Sequence, residues 1–247
     1  MAVWSPVSAI ADEKSYTCGE TAKLARLSAP LVRMQRLIAG KRPVTIMALG
    51  SSSTAGAGAS VPAASYPARL EFELRSRFPG VAITVLNRGV NGEEAAEMLM
   101  RFDQTVNDDK PDVVLWQVGT NSVLRDDPIG PIDRTINEGL ARMKALGADV
   151  VLIDPQFAPK VIVKPDAEGM VNVIAATATR RSVDLFPRFA IMREWRETQA
   201  IPFEAFLSPD LLHMNDWGYG CLAKLLGAAM AEAATRPVAA AGAVAPK

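Results

Sequence analysis

The chain has 247 residues, 49% of them hydrophobic, which is enough to bury the core of one large α/β domain and too apolar for wholesale disorder. Lys plus Arg and Asp plus Glu both total 27, so the net charge is zero, without the basic excess that a nucleic-acid partner calls for. No stretch reaches the roughly 18 apolar residues of a membrane span.

The first 20 residues read as a separate N-terminal segment. Ala9-Ile10-Ala11 before Asp12 has the small-residue look of a signal-peptidase site, but a basic n-region is missing and Pro6 breaks the apolar run. An export-signal remnant (periplasmic or secreted protein) and a frayed terminus of a cytoplasmic one both fit. The two cysteines, Cys18 and Cys221, form no CxxC pair, and with a single histidine they give too few soft ligands for a structural zinc site. They read as buried thiols or as one disulfide tying the N-terminal segment to the last helix. No metal and no cofactor are expected.

From residue 21 onward, short β-branched runs alternate with helical periodicity. The pattern predicts a helix over 21–38, a strand over 44–49 ending at Gly50, a helix over 65–78 stopped by Pro79-Gly80, and a strand over 82–87. A helix over 93–107, a strand over 112–118, a helix over 132–146 and a strand over 149–154 follow. A helix over 166–180, a strand over 183–186 and a helix over 216–233 complete the ordered chain, and the Ala/Pro/Gly-rich stretch 233–247 reads as a disordered tail. Such alternation implies βαβ units with right-handed crossovers, hence one doubly wound, flavodoxin-like domain over 21–232. A five-stranded parallel sheet lies between two helical layers. Its site belongs at the carboxyl ends of the strands.

Four sequence blocks fall there: Gly50-Ser51-Ser52-Ser53-Thr54, Asn87-Arg88-Gly89-Val90-Asn91-Gly92, Gly119-Thr120-Asn121, and Asp210-Leu211-Leu212-His213. Each alone is a common turn. The glycine–serine loop lacks the Gly-Lys-Ser/Thr ending of a P-loop, which counts against a nucleotide-binding protein. Together they hold the parts of an acyl-transfer site. A serine hydroxyl needs a base, and His213 is the one histidine available. Asp210, three residues earlier, can reach its Nδ1 and leave Nε2 to the serine. The Ser52 and Gly92 backbone N–H groups and the Asn121 amide can donate to an oxyanion.

In order and spacing, the blocks resemble those of the SGNH/GDSL hydrolases, whose Ser, Gly, Asn and His come from four such segments. The resemblance spans about residues 44–232 and implies the SGNH hydrolase fold, with Ser52 as nucleophile, Asp210 and His213 completing a triad, and Ser52, Gly92 and Asn121 forming the oxyanion hole. Gly89 is the alternative to Gly92. The family's aspartate before the nucleophile is Ser51 here, a departure that touches the loop's hydrogen bonding rather than the triad. The activity so implied is hydrolysis of short-chain carboxylic esters, O-acetyl groups on carbohydrate among them. The alternative is a non-catalytic carbohydrate- or acyl-binding module, which would not need His213. Gln156, after the fourth strand, and Phe206, with Trp195 and Phe203, are candidates for the substrate rim or for ordinary core. The partner expected is a small-molecule or saccharide ester, with no nucleic acid and no membrane span.

Overall fold

Strands β1 (Val44–Gly50), β2 (Ile83–Gly89), β3 (Val113–Gln117), β4 (Asp149–Ile153) and β5 (Asp184–Phe186) form one parallel sheet in the order β2-β1-β3-β4-β5 in a computed structural model. The structure describes residues 16–18 and 21–237. Ile46 of β1 pairs with Val85 on one side and Val113 on the other. Every residue of β3 is buried and all but Thr45 of β1, as continuous apolar runs must be when helices cover both faces. The helices of eight residues or more are α1 (Val32–Ala39), α2 (Tyr66–Arg77), α3 (Phe102–Asp109), α4 (Ile129–Ala145), α5 (Ala167–Arg181), α6 (Arg188–Glu197) and α7 (Asp216–Thr235). Helices α1 and α2 pack on α7, whereas α4 packs on α5 and on the short helix Ala95–Met100. The first crossover adds β2 beside β1 and the later ones build away on the other side. The chain therefore reverses its direction of growth between β1 and β3, where the loops leave a crevice.

The expected five strands and doubly wound order are present, and three expected helices are corrected. Only Val32–Ala39 of the 21–38 stretch is α-helical. The Ser28 and Ala29 N–H groups donate instead to Asp184 Oδ1, at 2.7 and 3.0 Å, and Pro30 disfavours helical backbone at Ala29. The 93–107 helix is two helices broken at Arg101, whose guanidinium turns back to the Glu93 carboxylate and the Arg88 carbonyl. Helix α7 runs to Thr235, two residues beyond its expected end and into the expected tail. Residues 238–247 and the Ala9-Ile10-Ala11 site lie outside the described residues. Helix α6 was not expected at all. Among the described residues no helix is long and apolar enough to cross a membrane.

Cys18 and Cys221 are joined, with their Cα atoms 5.4 Å apart, so residues 16–18 are clamped to α7. Thiol titration of the denatured, unreduced protein should find no free thiol, and titration after reduction should find two. Cys221→Ser should lower unfolding stability by about 2–4 kcal/mol, read from urea titration. An unchanged midpoint would show that the bridge constrains little.

Candidate active site

Strand β1 ends at Gly50, and the chain turns at once into the short helix Ser52–Ala55. Beneath it Ser51 is buried, its N–H and hydroxyl both donating to Gln117 Oε1 at 3.1 Å, and the Thr54 hydroxyl donates to the same oxygen at 3.3 Å. A glutamine at the end of β3 thus organises the loop through Ser51. The end of β2 presses against this turn. A Cβ at Gly89 would lie 2.1 Å from the Ala55 nitrogen, so only glycine allows the approach.

The last block forms a tight turn on its own carboxylate. Asp210 Oδ1 accepts from the Leu212 and His213 N–H groups at 3.0 and 2.9 Å and from the Ser208 hydroxyl at 3.0 Å, with Leu211 held at φ 57°. Asp210 Oδ2 is 2.5 Å from His213 Nδ1, and His213 Nε2 is 2.8 Å from Ser52 Oγ. Partial burial pushes the Asp210 carboxyl up. The ring, the two backbone N–H groups and Ser208 outweigh that and hold it well below the usual carboxylate range. Gly58 lets the loop after Ser52 lie on this turn, at φ 90°, where a Cβ would come within 2.9 Å of His213 Cβ.

Asn121 sits in the short helix Thr120–Leu124, and its Nδ2 donates one proton to the Glu93 carbonyl at 2.8 Å, which fixes the amide and leaves the second proton for another acceptor. Arg125 joins the two loops, its N–H donating to the Asn121 carbonyl at 2.9 Å and its Nη2 to the Gly92 carbonyl at 2.8 Å. Gly89 donates its N–H to Asn87 Oδ1 at 3.0 Å, which commits it internally. The site is open: Gly92 and Asp210 are exposed, and Ser52, Asn121 and His213 half-buried.

The two candidates for rim or core, Gln156 and Phe206, both lie inside. Gln156 is 1% exposed, its amide spent on Thr120 and the Leu212 carbonyl. Phe206 is fully buried, packed edge-on against Trp195 at 5.5 Å and tilted on Phe203. Their burial removes both from the surface a substrate meets. Sequence reasoning missed Gln117, Arg125, Asp154 and Arg188. Only the Arg125 spacing, four after Asn121 on one helical turn, was a readable signal. Arg188 is fully buried, donating from Nε to the Asp154 carbonyl at 2.9 Å.

A family model described as "Non-GDSL lipase-like family" matches residues 17–236. An arylesterase from Vibrio mimicus is 27% identical over 144 residues, which cover 58% of this chain and 70% of that protein. A two-domain esterase active on acetylated mannans has a similar structure, with TM-score 0.71 and 19% identity over 87% of this chain. This chain spans 57% of that longer one. Axe2, an acetyl-xylooligosaccharide esterase from Geobacillus, gives TM-score 0.65 at 19% identity, covering 76% of this chain and 94% of its own. At these identities the solved structures share the fold, that of the SGNH/GDSL-like hydrolases.

The buried Asp154 carboxyl carries a pH prediction. Burial pushes it from the ordinary 3.8 up to about 7, against the lowering effects of the Phe189 N–H and Arg188. A raised carboxyl pKa means that the folded chain holds the proton more tightly than the unfolded one. Its contribution to stability is therefore full below 3.8 and lost as pH rises through about 7. Asp154→Asn can still accept from Phe189 and lacks this slope. Urea titrations across the window should show wild-type stability falling relative to Asp154→Asn as pH rises. Parallel curves would place the carboxyl's ionisation elsewhere.

Proposed function

Starting from a chain that belongs to the non-GDSL lipase-like family, we propose a serine esterase that cleaves short-chain carboxylic esters, O-acetyl groups on carbohydrate among them. One observation carries this reading. The Ser52 hydroxyl, the His213 ring and the Asp210 carboxylate form a continuous hydrogen-bonded line, 2.8 and 2.5 Å long in its two links, from residues 161 apart in the chain. A site with no chemistry to perform has no use for that alignment.

In the mechanism, Ser52 Oγ attacks the ester carbonyl carbon while His213 Nε2 takes the hydroxyl proton. Asp210, kept anionic by its hydrogen bonds, orients the ring through Nδ1 and stabilises the imidazolium. The carbonyl oxygen, now negative, accepts from the Ser52 and Gly92 N–H groups and from the remaining Asn121 amide proton. Collapse breaks the bond to the alcohol, which leaves with the proton from His213. Water then repeats the sequence on the acyl-enzyme, giving its proton to His213, and Ser52 recovers one as the acid departs.

The open setting of Ser52 supports a short acyl group, since a long chain gains from a deep apolar slot. The two similar solved esterases act on acetylated saccharides, which supports the same alcohol class. The Cys18–Cys221 bridge supports an oxidising compartment, and hence export.

Ser52→Ala should abolish turnover and fluorophosphonate labelling with the fold intact. Labelling that survives in Ser52→Ala and vanishes in Ser51→Ala would move the nucleophile. Asn121→Ala should lower kcat by about 100- to 1000-fold with KM little changed, because its donor matters in the transition state. A lost melting temperature with kcat preserved would make Asn121 a mere turn residue. Across p-nitrophenyl esters, kcat/KM should peak at acetate or propionate. A peak at long chains would overturn the short-acyl assignment.

A further inference from the structure

We propose that Thr120 and Gln156 are positioning residues that act as one unit, holding the oxyanion donor Asn121 and the base His213 in fixed relation across the crevice. Thr120 immediately precedes Asn121, and Leu212 immediately precedes His213. The Thr120 hydroxyl donates to Gln156 Oε1 at 2.9 Å, and Gln156 Nε2 donates to the Leu212 carbonyl at 3.4 Å. Arg188 Nη2 approaches the Thr120 hydroxyl oxygen at 3.4 Å, and guanidinium can only donate. The direction of the chain is therefore set: Arg188 gives to Thr120, Thr120 to Gln156, and Gln156 to the histidine turn. A second tie runs from the same loop to the same turn, the Lys160 N–H donating to the Leu211 carbonyl at 3.3 Å.

Burial gives the chain its force. Arg188, Gln156 and Thr120 are 0, 1 and 3% exposed, so water does not compete for these partners. The base and the oxyanion donor otherwise sit on separate half-buried loops. Catalysis depends on their spacing to a fraction of an ångström. A link between the residues next to each of them sets that spacing without touching substrate.

This inference rests on the Ser52–His213–Asp210 reading, so the experiment includes Ser52→Ala as its reference. The variants are Thr120→Val, which keeps shape and loses the hydroxyl, Thr120→Ser, which keeps the hydroxyl, Gln156→Leu, and the double Thr120→Val/Gln156→Leu. For each, kcat and KM on p-nitrophenyl acetate and the melting temperature are measured on one preparation. Thr120→Val and Gln156→Leu should each lower kcat by about 10- to 100-fold, with KM much less affected. Thr120→Ser should recover most of the loss, and the double variant should lose no more than the worse single one, since either change breaks the same chain. Folded variants with wild-type kcat and only a lower melting temperature would overturn the proposal, as would losses that multiply in the double. If Gln156→Leu does not fold, the contrast between Thr120→Val and Thr120→Ser decides alone. An active Ser52→Ala would sink the triad reading and this inference together. A dead Ser52→Ala beside a fully active Thr120→Val would sink only this one.

Discussion

Polar atoms carried inward at the carboxyl edge of this sheet must find partners inside the protein, because helices cover both faces and water is excluded. That constraint explains the residue types found there. Gln117 ends β3 with one oxygen that accepts from Ser51 twice and from Thr54 once, so a single side chain shapes the Ser52 loop. Tyr66 closes the same group through Thr54 at 3.2 Å, and burial pushes its phenol up to about 12, keeping it neutral. Arg188 is the extreme case. Burial lowers its pKa, and its Nη1 has no partner among the described residues, so it is retained for the contacts that its other nitrogens make.

The same constraint explains what was legible in the sequence. The first three blocks were readable because each follows the end of a strand, and the strands announce themselves as apolar runs; the fourth, Asp210 to His213, follows a short helix and was readable from its spacing about the single histidine. The structure brings Ser52, His213 and Asp210 into one hydrogen-bonded line. Gly89 and Gly92 differ in that the Gly89 N–H is spent on Asn87 and its Cα is pressed on the helix at Ala55. For Gln156 and Phe206 rim and core both stayed open, because a sequence says which loop a side chain leaves from, not whether it turns outward; the structure buries both. The break at residues 28–30 involves Asp184, 156 positions from Ser28, which local periodicity does not encode, whereas Arg101 turns back on Glu93 and Arg88, 8 and 13 positions away. Helix α6 escaped notice because the buried Arg188 at its start interrupts the apolar pattern by which helices are recognised.

At the opposite edge of the sheet, three aspartates do a different job. Asp112 accepts from Arg33 Nε, Asp149 from the Arg33 and Met34 N–H groups, and Asp184 from Ser28 and Ala29. Asp149 thereby caps α1 from a distance, taking two of the donors that a helix N-terminus leaves open. The segment before β1 lies outside the minimal SGNH core. It is nonetheless bound to β3, β4 and β5 by charge-assisted hydrogen bonds and to α7 by the disulfide. One edge of the sheet anchors the segment before β1, and the other carries the loops of Ser52, Gly92 and Asn121.

Directed donors rather than burial hold Asp210 against His213. The Asp210 side chain is 41% exposed, so its depressed pKa owes nothing to a dry pocket and everything to the donors aimed at it. Solvent screens that charge, and its main work is directional: holding the ring rather than supplying a large field. A space of about 430 Å³ lies between the 22–26 turn and α7, lined by Ala22, Arg26, Leu225 and Glu232, none of which belongs to the site. The surface around Ser52 is built by the rim loops. Those loops are the short connections after β2, β3 and β4. Their backbones are tied down from below by Arg125 and Gln156, which leaves their outward side chains free to change without disturbing the line from Ser52 to Asp210.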